Sequence, residues 1–281
     1  MGTKETAVVL LAAGLGTRMN SILPKVLHPI AGRAMILQLL DSLTDIDPDR
    51  IVLVIGPDMG LVSDAIAAAG YDFEVVIQHD RLGTGHAVQQ TEKVLSDFKG
   101  NVLVLYGDSP LITSKTLVKM LDARAIQRNP AVVVLGFRPF DAAEYGRLIV
   151  DNAGNLEAIV EAADANEDEL SNDLCNSGVM VIDGTILFDL MSSLSNKNTK
   201  SEFYLTDIIK FSRQSGRDCG FVEGDEEELL GINSRAELAL AETIIQDRLR
   251  ESAMENGATL ADPSSIYFAY DTKIGRDVTI G

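Results

Sequence analysis

Cationic residues are scarce in this 281-residue sequence, with 24 lysines and arginines against 42 aspartates and glutamates and a formal net charge of −18. That excess of acid argues against nucleic-acid binding as the main task, because such binding rests on basic side chains that release counterions from phosphates. Cysteine is equally scarce. Cys175 and Cys219 cannot staple a chain of this size, and the N-terminus lacks a basic region followed by an apolar run and a small-residue cleavage site, so the expectation is a reduced, cytoplasmic protein. Long apolar runs are missing too. The longest, such as Ala7 to Ala13, are strand-sized and far below the roughly 18 residues of a membrane helix, so no membrane is expected. No stretch rich in proline, glycine and serine interrupts the chain before Gly257, which points to one continuous domain over 1–257. The three histidines, His28, His79 and His86, show no metal-ligand spacing and are read as structural. What is abundant is apolar surface, at 46% of residues, enough to bury a large core and to exclude global disorder.

Short β-branched runs alternate with longer amphipathic segments through the first half, the pattern of a parallel sheet flanked by helices. Strands are predicted at Thr6 to Ala12, Arg50 to Ile55, Glu74 to Ile77, Asn101 to Tyr106 and Ala131 to Phe137. Further strands are predicted at Arg147 to Val150, Leu156 to Val160 and Leu174 to Ile182. Helices are predicted at Met35 to Leu43, Leu61 to Ala69, His86 to Leu95, Ser114 to Ile126, Gly184 to Leu194, Phe203 to Ser215 and Ser234 to Asn256. The polar, acidic stretch Glu161 to Asp173 reads as an exposed loop or short helix. The fold class is α/β, doubly wound and Rossmann-like, and ligands of such folds sit beyond the carboxyl ends of the strands.

The first strand runs into Leu11-Ala12-Ala13-Gly14-Leu15-Gly16-Thr17-Arg18-Met19, followed by Leu23-Pro24-Lys25-Val26-Leu27-His28. Small residues and two glycines after a strand let backbone N–H groups approach an anion, and Arg18 and Lys25 add cations. A plain strand-to-helix turn with surface cations is the competing reading. The loop lacks the Gly-Lys-Ser/Thr of a P-loop and the third glycine of a dinucleotide fingerprint, which disfavours both of those chemistries. Asp108 ends an apolar strand in a Gly-Asp-Ser-Pro sequence, where it is either a turn residue or a ligand. Asn233 opens a long helix, where it is either an N-cap or a ligand.

Taken in order, these segments resemble the signature of sugar-nucleotide pyrophosphorylases, in particular the bacterial bifunctional UDP-N-acetylglucosamine pyrophosphorylase/glucosamine-1-phosphate acetyltransferase family. Further matching segments are Gln78 with Leu82-Gly83-Thr84-Gly85-His86-Ala87, and Leu105-Tyr106-Gly107-Asp108-Ser109-Pro110-Leu111. Tyr145-Gly146-Arg147, Ile159-Val160-Glu161, Asn176-Ser177-Gly178, Phe203 to Ile209 and Gly231-Ile232-Asn233-Ser234-Arg235 then follow, so the resemblance spans residues 6–281. It implies a Mg²⁺-dependent uridylyltransferase making UDP-N-acetylglucosamine and pyrophosphate from UTP and N-acetylglucosamine 1-phosphate, a step towards peptidoglycan and lipopolysaccharide precursors. Arg18 and Lys25 are then catalytic, serving the triphosphate and the phosphates at the reacting centre. Asp108 and Asn233 hold the metal. Leu11, Ala12, Ala13, Gly14, Lys25, Gln78, Gly83, Thr84, Tyr106, Gly107 and Asp108 line the nucleotide side, and Gly146, Glu161, Asn176 and Asn233 complete the site. Two departures stand out: Ala163 lies where many relatives place a basic residue, and Ser177 where they commonly have threonine. The neighbouring reading is the same chemistry on glucose 1-phosphate with UTP or dTTP. A non-catalytic sugar-nucleotide binder is the reading from another class.

Near the end, Ile274-Gly275 and Ile280-Gly281 recur at a spacing of six, the period of a parallel β-helix. In the resembled family a left-handed β-helix follows, carrying trimerisation and acetyl transfer. Residues 258–281 are therefore expected to be a linker and a truncated first coil, frayed or packed on the long helix, with no acetyltransferase activity, because one coil cannot bury its own core.

Overall fold

Nine of the apolar runs pair into one sheet in the computed structural model, which describes residues 5–125, 129–142 and 144–281. In chain order the strands are β1 (Thr6–Leu11), the small hairpin β2 (Pro29–Ile30) and β3 (Arg33–Ala34), β4 (Arg50–Ile55), β5 (Glu74–Ile77), β6 (Asn101–Tyr106) and β7 (Val132–Phe137). After these come β8 (Arg147–Val150), β9 (Leu156–Val160), β10 (Cys175–Asp183), β11 (Cys219–Glu223), β12 (Thr259–Leu260) and β13 (Thr279–Ile280). The main sheet has the order β11-β7-β10-β6-β1-β4-β5, with β8 attached through β10 and β9 through β8. Parallel pairing joins β1 to β4 and β6, β4 to β5, and β11 to β7, whereas β10 runs antiparallel to β6 and β7. The mainly parallel, Rossmann-like sheet is the architecture expected from the alternating pattern, and the antiparallel β10 makes it mixed.

The central strands read as unbroken apolar runs because both faces of the sheet are covered. Val9, Val52, Val54 and Val104 face one buried cluster, and Val8, Leu10, Leu53, Leu103 and Leu105 face the other. Full burial of each such side chain contributes about 1.5–3 kcal/mol, so the sheet's two faces carry most of the fold's stability. From β1 the chain builds outward to β4 and β5, then crosses back to lay β6 on the other side of β1. That reversal leaves a crevice past the carboxyl ends of β1 and β6.

Several boundaries differ from the sequence reading. The single helix expected over His86 to Leu95 is two, Thr84–Gln89 and Glu92–Leu95. At the break the buried Thr91 hydroxyl donates to the Val88 carbonyl at 2.7 Å, a local bond that competes with helix continuation. The helix expected from Phe203 begins as a tighter turn at Leu205–Asp207 before Ile208–Gln214, and the one from Gly184 is confined to Leu187–Ser192. Strand β11 had no clear signal, since Cys-Gly-Phe-Val-Glu is short and half polar. Thr113 caps the helix Ser114–Arg124, accepting from the Thr116 N–H at 3.3 Å; Ile126, its expected end, lies outside the described residues. The acidic stretch contains a short helix, Glu167–Leu170, closed by a capping box between Asn166 and Glu169.

The long helix Arg235–Glu255 ends at Gly257, whose φ of +95° suits glycine. Beyond it, β12 and β13 pair in parallel, Thr259 with Thr279 and Leu260 with Ile280, so the chain makes one circuit and returns alongside itself. Ala258, Leu260 and Phe268 pack with Ile266, Ile274 and Ile280 against Leu249 and Ala253 of the long helix. The helix's buried polar residues are satisfied there: Gln246 donates to the Phe268 carbonyl at 2.7 Å and accepts from its N–H at 2.8 Å, and Arg250 donates to the Ile266 carbonyl at 2.8 Å. Of the two expected states of this tail, packing on the helix is the one observed. Among the described residues no helix is long and apolar enough to cross a membrane.

Candidate functional site

Beyond the end of β1 the chain turns through Gly14 and Gly16, and the two glycines have different reasons to be there. A Cβ on Gly14 would meet nothing within 4 Å, whereas one on Gly16 would lie 2.6 Å from the Lys25 Cβ, at a φ of +61°. Gly16 therefore lets the Lys25 stem pass against the turn, and Gly14 leaves open space at the cleft. The cleft is lined by Leu11, Ala12, Ala13, Gly14, Lys25, Gln78, Gly83, Thr84, Tyr106 and Asp108, all anticipated from sequence, together with Val26, Arg81, Ala87 and Glu202, which were not.

Lys25 is only 9% exposed and its ammonium is the hub of the site. It is ion-paired and hydrogen-bonded to Asp108 Oδ2, and it donates to Asn233 Oδ1 at 2.8 Å. Asp108 arrives from the end of β6 and is tied to the third partner's loop, because its backbone carbonyl accepts the Ile232 N–H at 2.9 Å. Ser234 takes the N-cap of the long helix, accepting from Glu237 N–H, while Glu237 accepts from the Asn233 N–H at 2.7 Å. The Asn233 amide nitrogen donates to the Gly231 carbonyl at 3.2 Å. An ammonium only donates, so with its nitrogen on the Gly231 carbonyl Asn233 turns its carbonyl oxygen to Lys25. One carboxylate and one amide oxygen therefore converge on one cation, which is the donor set a hard divalent ion takes when phosphates and water supply the rest. Among the described residues no group of three or more His, Cys, Asp or Glu could hold a metal.

Across the cleft, Gln78 follows β5, buried, with its amide nitrogen 3.2 Å from the Gly83 carbonyl. The loop holding Gly83 and Thr84 is laced to residues 203–205. Phe203 N–H donates to the Leu82 carbonyl at 2.7 Å, Gly85 N–H to the Phe203 carbonyl at 2.8 Å, and Leu205 N–H to the Thr84 hydroxyl at 3.2 Å. A Cβ on Gly83 would lie 2.7 Å from the Phe203 carbonyl oxygen, so the close approach of these two backbones requires glycine. Arg81, a cleft residue missed from sequence, donates from Nε to the Ala13 carbonyl at 2.6 Å and bridges the two walls. A lone arginine in a loop carries no spacing signal that could have found it.

Tyr106 connects these residues to a second group. Gly178 packs so closely on its ring that a Cβ there would lie 2.7 Å away, and burial pushes the Tyr106 phenol well above the usual range, so it stays neutral. Asn176 donates from its N–H to the Gly146 carbonyl at 2.8 Å, and its side-chain oxygen accepts the Gly178 N–H at 3.0 Å. Ser177 donates to the Leu135 carbonyl at 2.7 Å, a bond that a threonine hydroxyl also makes. A Cβ on Gly146 would sit 3.5 Å from a Glu161 carboxylate oxygen, which places Glu161 beside it. Glu161 accepts from the Thr206 hydroxyl at 3.0 Å. Its pKa is raised above 4.5, chiefly by burial, against which the Thr206 bond and Lys200 pull down, with Asp164 and Asp207 pushing up. A raised carboxyl pKa means that the folded chain holds the proton more tightly than the unfolded chain. Folding stability therefore falls as pH rises from the ordinary value through the raised one. Glu161→Gln should raise the melting temperature at pH 8 relative to the parent, with the gain vanishing on acidification below pH 4.5; an equal gain at both ends would show that ionisation of Glu161 is not its source.

The structure thus brings most of the sequence-derived residues into two adjoining groups, one around Lys25, Asp108, Asn233 and Gln78 and one around Gly146, Glu161 and Asn176. Gly107 serves as the close-packed floor, where a Cβ would lie 3.0 Å from Val26. Arg18 stands apart. It sits exposed in the short turn Thr17–Met19 and is not among the residues lining the cleft. His28 is buried behind the site, 3.2 Å from Arg235, and its pKa is lowered by burial and by that guanidinium, as suits a structural histidine. His86, read the same way, instead touches Gln78.

A model for the MobA-like NTP transferase domain matches residues 8–165. The bifunctional protein GlmU of Paramagnetospirillum magneticum is 58% identical over 280 residues, which is 100% of this chain and 61% of that protein. GlmU of Rhodospirillum rubrum is 56% identical over 275 residues, 98% of this chain and 60% of that protein. The chain thus spans about three fifths of the length of these relatives. A crystal structure of UDP-glucose pyrophosphorylase complexed with UDP-glucose shares the fold, with a TM-score of 0.71 at 18% identity over 87% of this chain and 99% of the other.

Proposed function

Because the chain belongs to the MobA-like NTP transferase family, whose domain it carries over residues 8–165, we propose that it joins UTP to N-acetylglucosamine 1-phosphate, releasing pyrophosphate and UDP-N-acetylglucosamine for cell-wall precursor synthesis in the cytoplasm. The observation that carries this reading is the Lys25 ammonium held between Asp108 and Asn233 at the crevice between β1 and β6. An oxygen of the sugar phosphate attacks the α-phosphorus of UTP, and the bond from that phosphorus to the bridging oxygen of pyrophosphate breaks. Both reactants are anions, so the protein's work is alignment and charge neutralisation. Lys25 supplies a desolvated cation at the reacting phosphates. Asp108 and Asn233 fit a Mg²⁺ ion, which when bound offsets charge on the nucleotide phosphates.

Gln78, Gly83, Thr84 and the backbone of Ala13 hold the uracil, Leu11, Ala12 and Gly14 flank the nucleotide, and Tyr106 and Gly107 form the floor between nucleotide and sugar. Arg18, exposed on the turn that follows Gly14, is the cation assigned to the triphosphate. Gly146, Glu161 and Asn176 take the sugar: the carboxylate accepts hydroxyl protons, and a glycine at 146 leaves room for the N-acetyl group. Residues 258–281 are a linker and the first coil of a β-helix. The name shared by the relatives and the order of the matching motifs support this reading.

Purified protein given UTP and N-acetylglucosamine 1-phosphate should release pyrophosphate in the presence of Mg²⁺ and stop on chelation. The same assay with glucose 1-phosphate and with dTTP sets the specificity. No turnover with any sugar phosphate, or faster turnover with glucose 1-phosphate, would sink the proposed substrate.

A further inference from the structure

Gln78 is 4% exposed, and its amide nitrogen has two neighbours, the Gly83 carbonyl at 3.2 Å and His86 Nδ1 at 3.1 Å. A carbonyl only accepts, so Gly83 determines that the nitrogen end of the amide faces inward. Its second hydrogen then points at Nδ1, which must accept, and in a neutral imidazole the proton sits on Nε2. On that side the Gln90 amide nitrogen lies 3.1 Å from Nε2 and 3.2 Å from the His86 carbonyl. A nitrogen facing an Nε2–H sets donor against donor. Turned over in place, Gln90 would set its oxygen against the His86 carbonyl, so this half-buried side chain, held by His86 alone, is the one that leaves Nε2 for solvent; Gln78, enclosed and tied to Gly83, stays. The Gln78 oxygen is then the end left for the cleft, where among the described residues it has no hydrogen-bond partner.

A fixed acceptor at a base site discriminates. Uracil and thymine present a ring N3–H, a donor, whereas N3 of cytosine is an acceptor. An amide free to turn would serve both. We propose that His86 is a positioning residue that locks the Gln78 amide with its oxygen towards the nucleotide, and so makes the site select a pyrimidine carrying a ring N–H over cytosine. This rests on the nucleotide role proposed for Gln78. Nothing in the spacing of the histidines signals it, because the partner is reached only through the turn that folds the 78–86 loop back on itself.

The test compares kcat/KM for UTP and CTP in the parent, His86→Leu, His86→Asn and Gln78→Ala. His86→Leu should lower the UTP:CTP ratio roughly tenfold, mainly through the KM for UTP, the size of effect expected when one hydrogen bond to the base is no longer aligned. His86→Asn, whose side-chain oxygen can stand where Nδ1 stood, should keep the ratio near the parent's. A purely structural role, such as packing of His86 beside Phe203 with ring centroids 6.3 Å apart, would slow both nucleotides equally. An unchanged ratio in His86→Leu, or equal loss in the leucine and asparagine variants, overturns the proposal. If Gln78→Ala collapses the ratio while His86→Leu does not, the base-reading role of Gln78 stands and His86 alone fails; if Gln78→Ala also leaves it unchanged, the Gln78 reading has failed first. Should His86→Leu not fold, nitrogen NMR of the parent decides: Nδ1 bare and Nε2 protonated is expected, and the opposite tautomer overturns the proposal.

Discussion

Asp108→Ala is expected to remove turnover by a factor on the order of 10³ or more while leaving the fold intact, since metal and oxyanion contacts of this kind are worth several kcal/mol at the transition state. The carboxylate has two tasks at once. On the proposed reading it offers an oxygen to a divalent ion, and it holds the Lys25 ammonium beside Asn233. Its backbone contact to Ile232 passes through the carbonyl and survives the substitution. Stability should drop by about 3 kcal/mol, because removal of the carboxylate leaves the buried Lys25 ammonium with the Asn233 oxygen as its remaining partner. Asp108→Asn is the sharper variant, as it keeps the shape and removes the charge. Steady-state pyrophosphate release alongside thermal unfolding checks both halves. A variant within tenfold of the parent rate would remove Asp108 from the metal and from the reaction.

Lys25→Met keeps the length of the aliphatic stem and deletes the ammonium. The expected loss in kcat/KM is about 10²–10³-fold, about 3–4 kcal/mol, the scale of removing one preorganised charge from a desolvated phosphate site. If Lys25 neutralises charge that develops on the phosphates, kcat should fall with little change in the KM for UTP; a change confined to KM would make it a binding residue only. Lys25→Arg should recover little, because the stem is clamped against Gly16 and a planar guanidinium is too broad for the gap between Asp108 and Asn233. Full activity in Lys25→Arg would mean that the site needs only a diffuse positive charge.

Both predictions turn on contacts of very different sequence range, and that range explains what was legible. The strands β1, β4 and β6 could be read to the residue or nearly so, because burial on both faces of a parallel sheet writes itself into an unbroken apolar run, and β5, half exposed at the sheet edge, still shows a short β-branched one. Asp108 was visible for the same reason, as the first acidic residue past such a run. The break at Thr91 and the strand β11 were not, since one follows from a single hydroxyl's choice of partner and the other is too short to show a period. Arg18 looked equivalent to Lys25 in the motif, yet one lies exposed on a turn and the other is buried at the centre. They stand seven positions apart, and the turn between them decides which faces inward.

By itself, the sequence determined the class of fold, the side of the sheet on which chemistry sits and most of the residues that line the cleft, because those are properties of a residue and its near neighbours. Only the tertiary structure decided who meets whom. Lys25 reaches Asp108 across 83 residues and Asn233 across 208, and no local pattern encodes those distances. Asn233 was free to be a cap or a ligand until Ser234 took the cap, and His86 was one of three unremarkable histidines until the loop beyond β5 folded it onto Gln78. Partner choice of this kind depends on strand order and loop path, which the whole chain sets together, and a side chain's role follows from the partner it is left with.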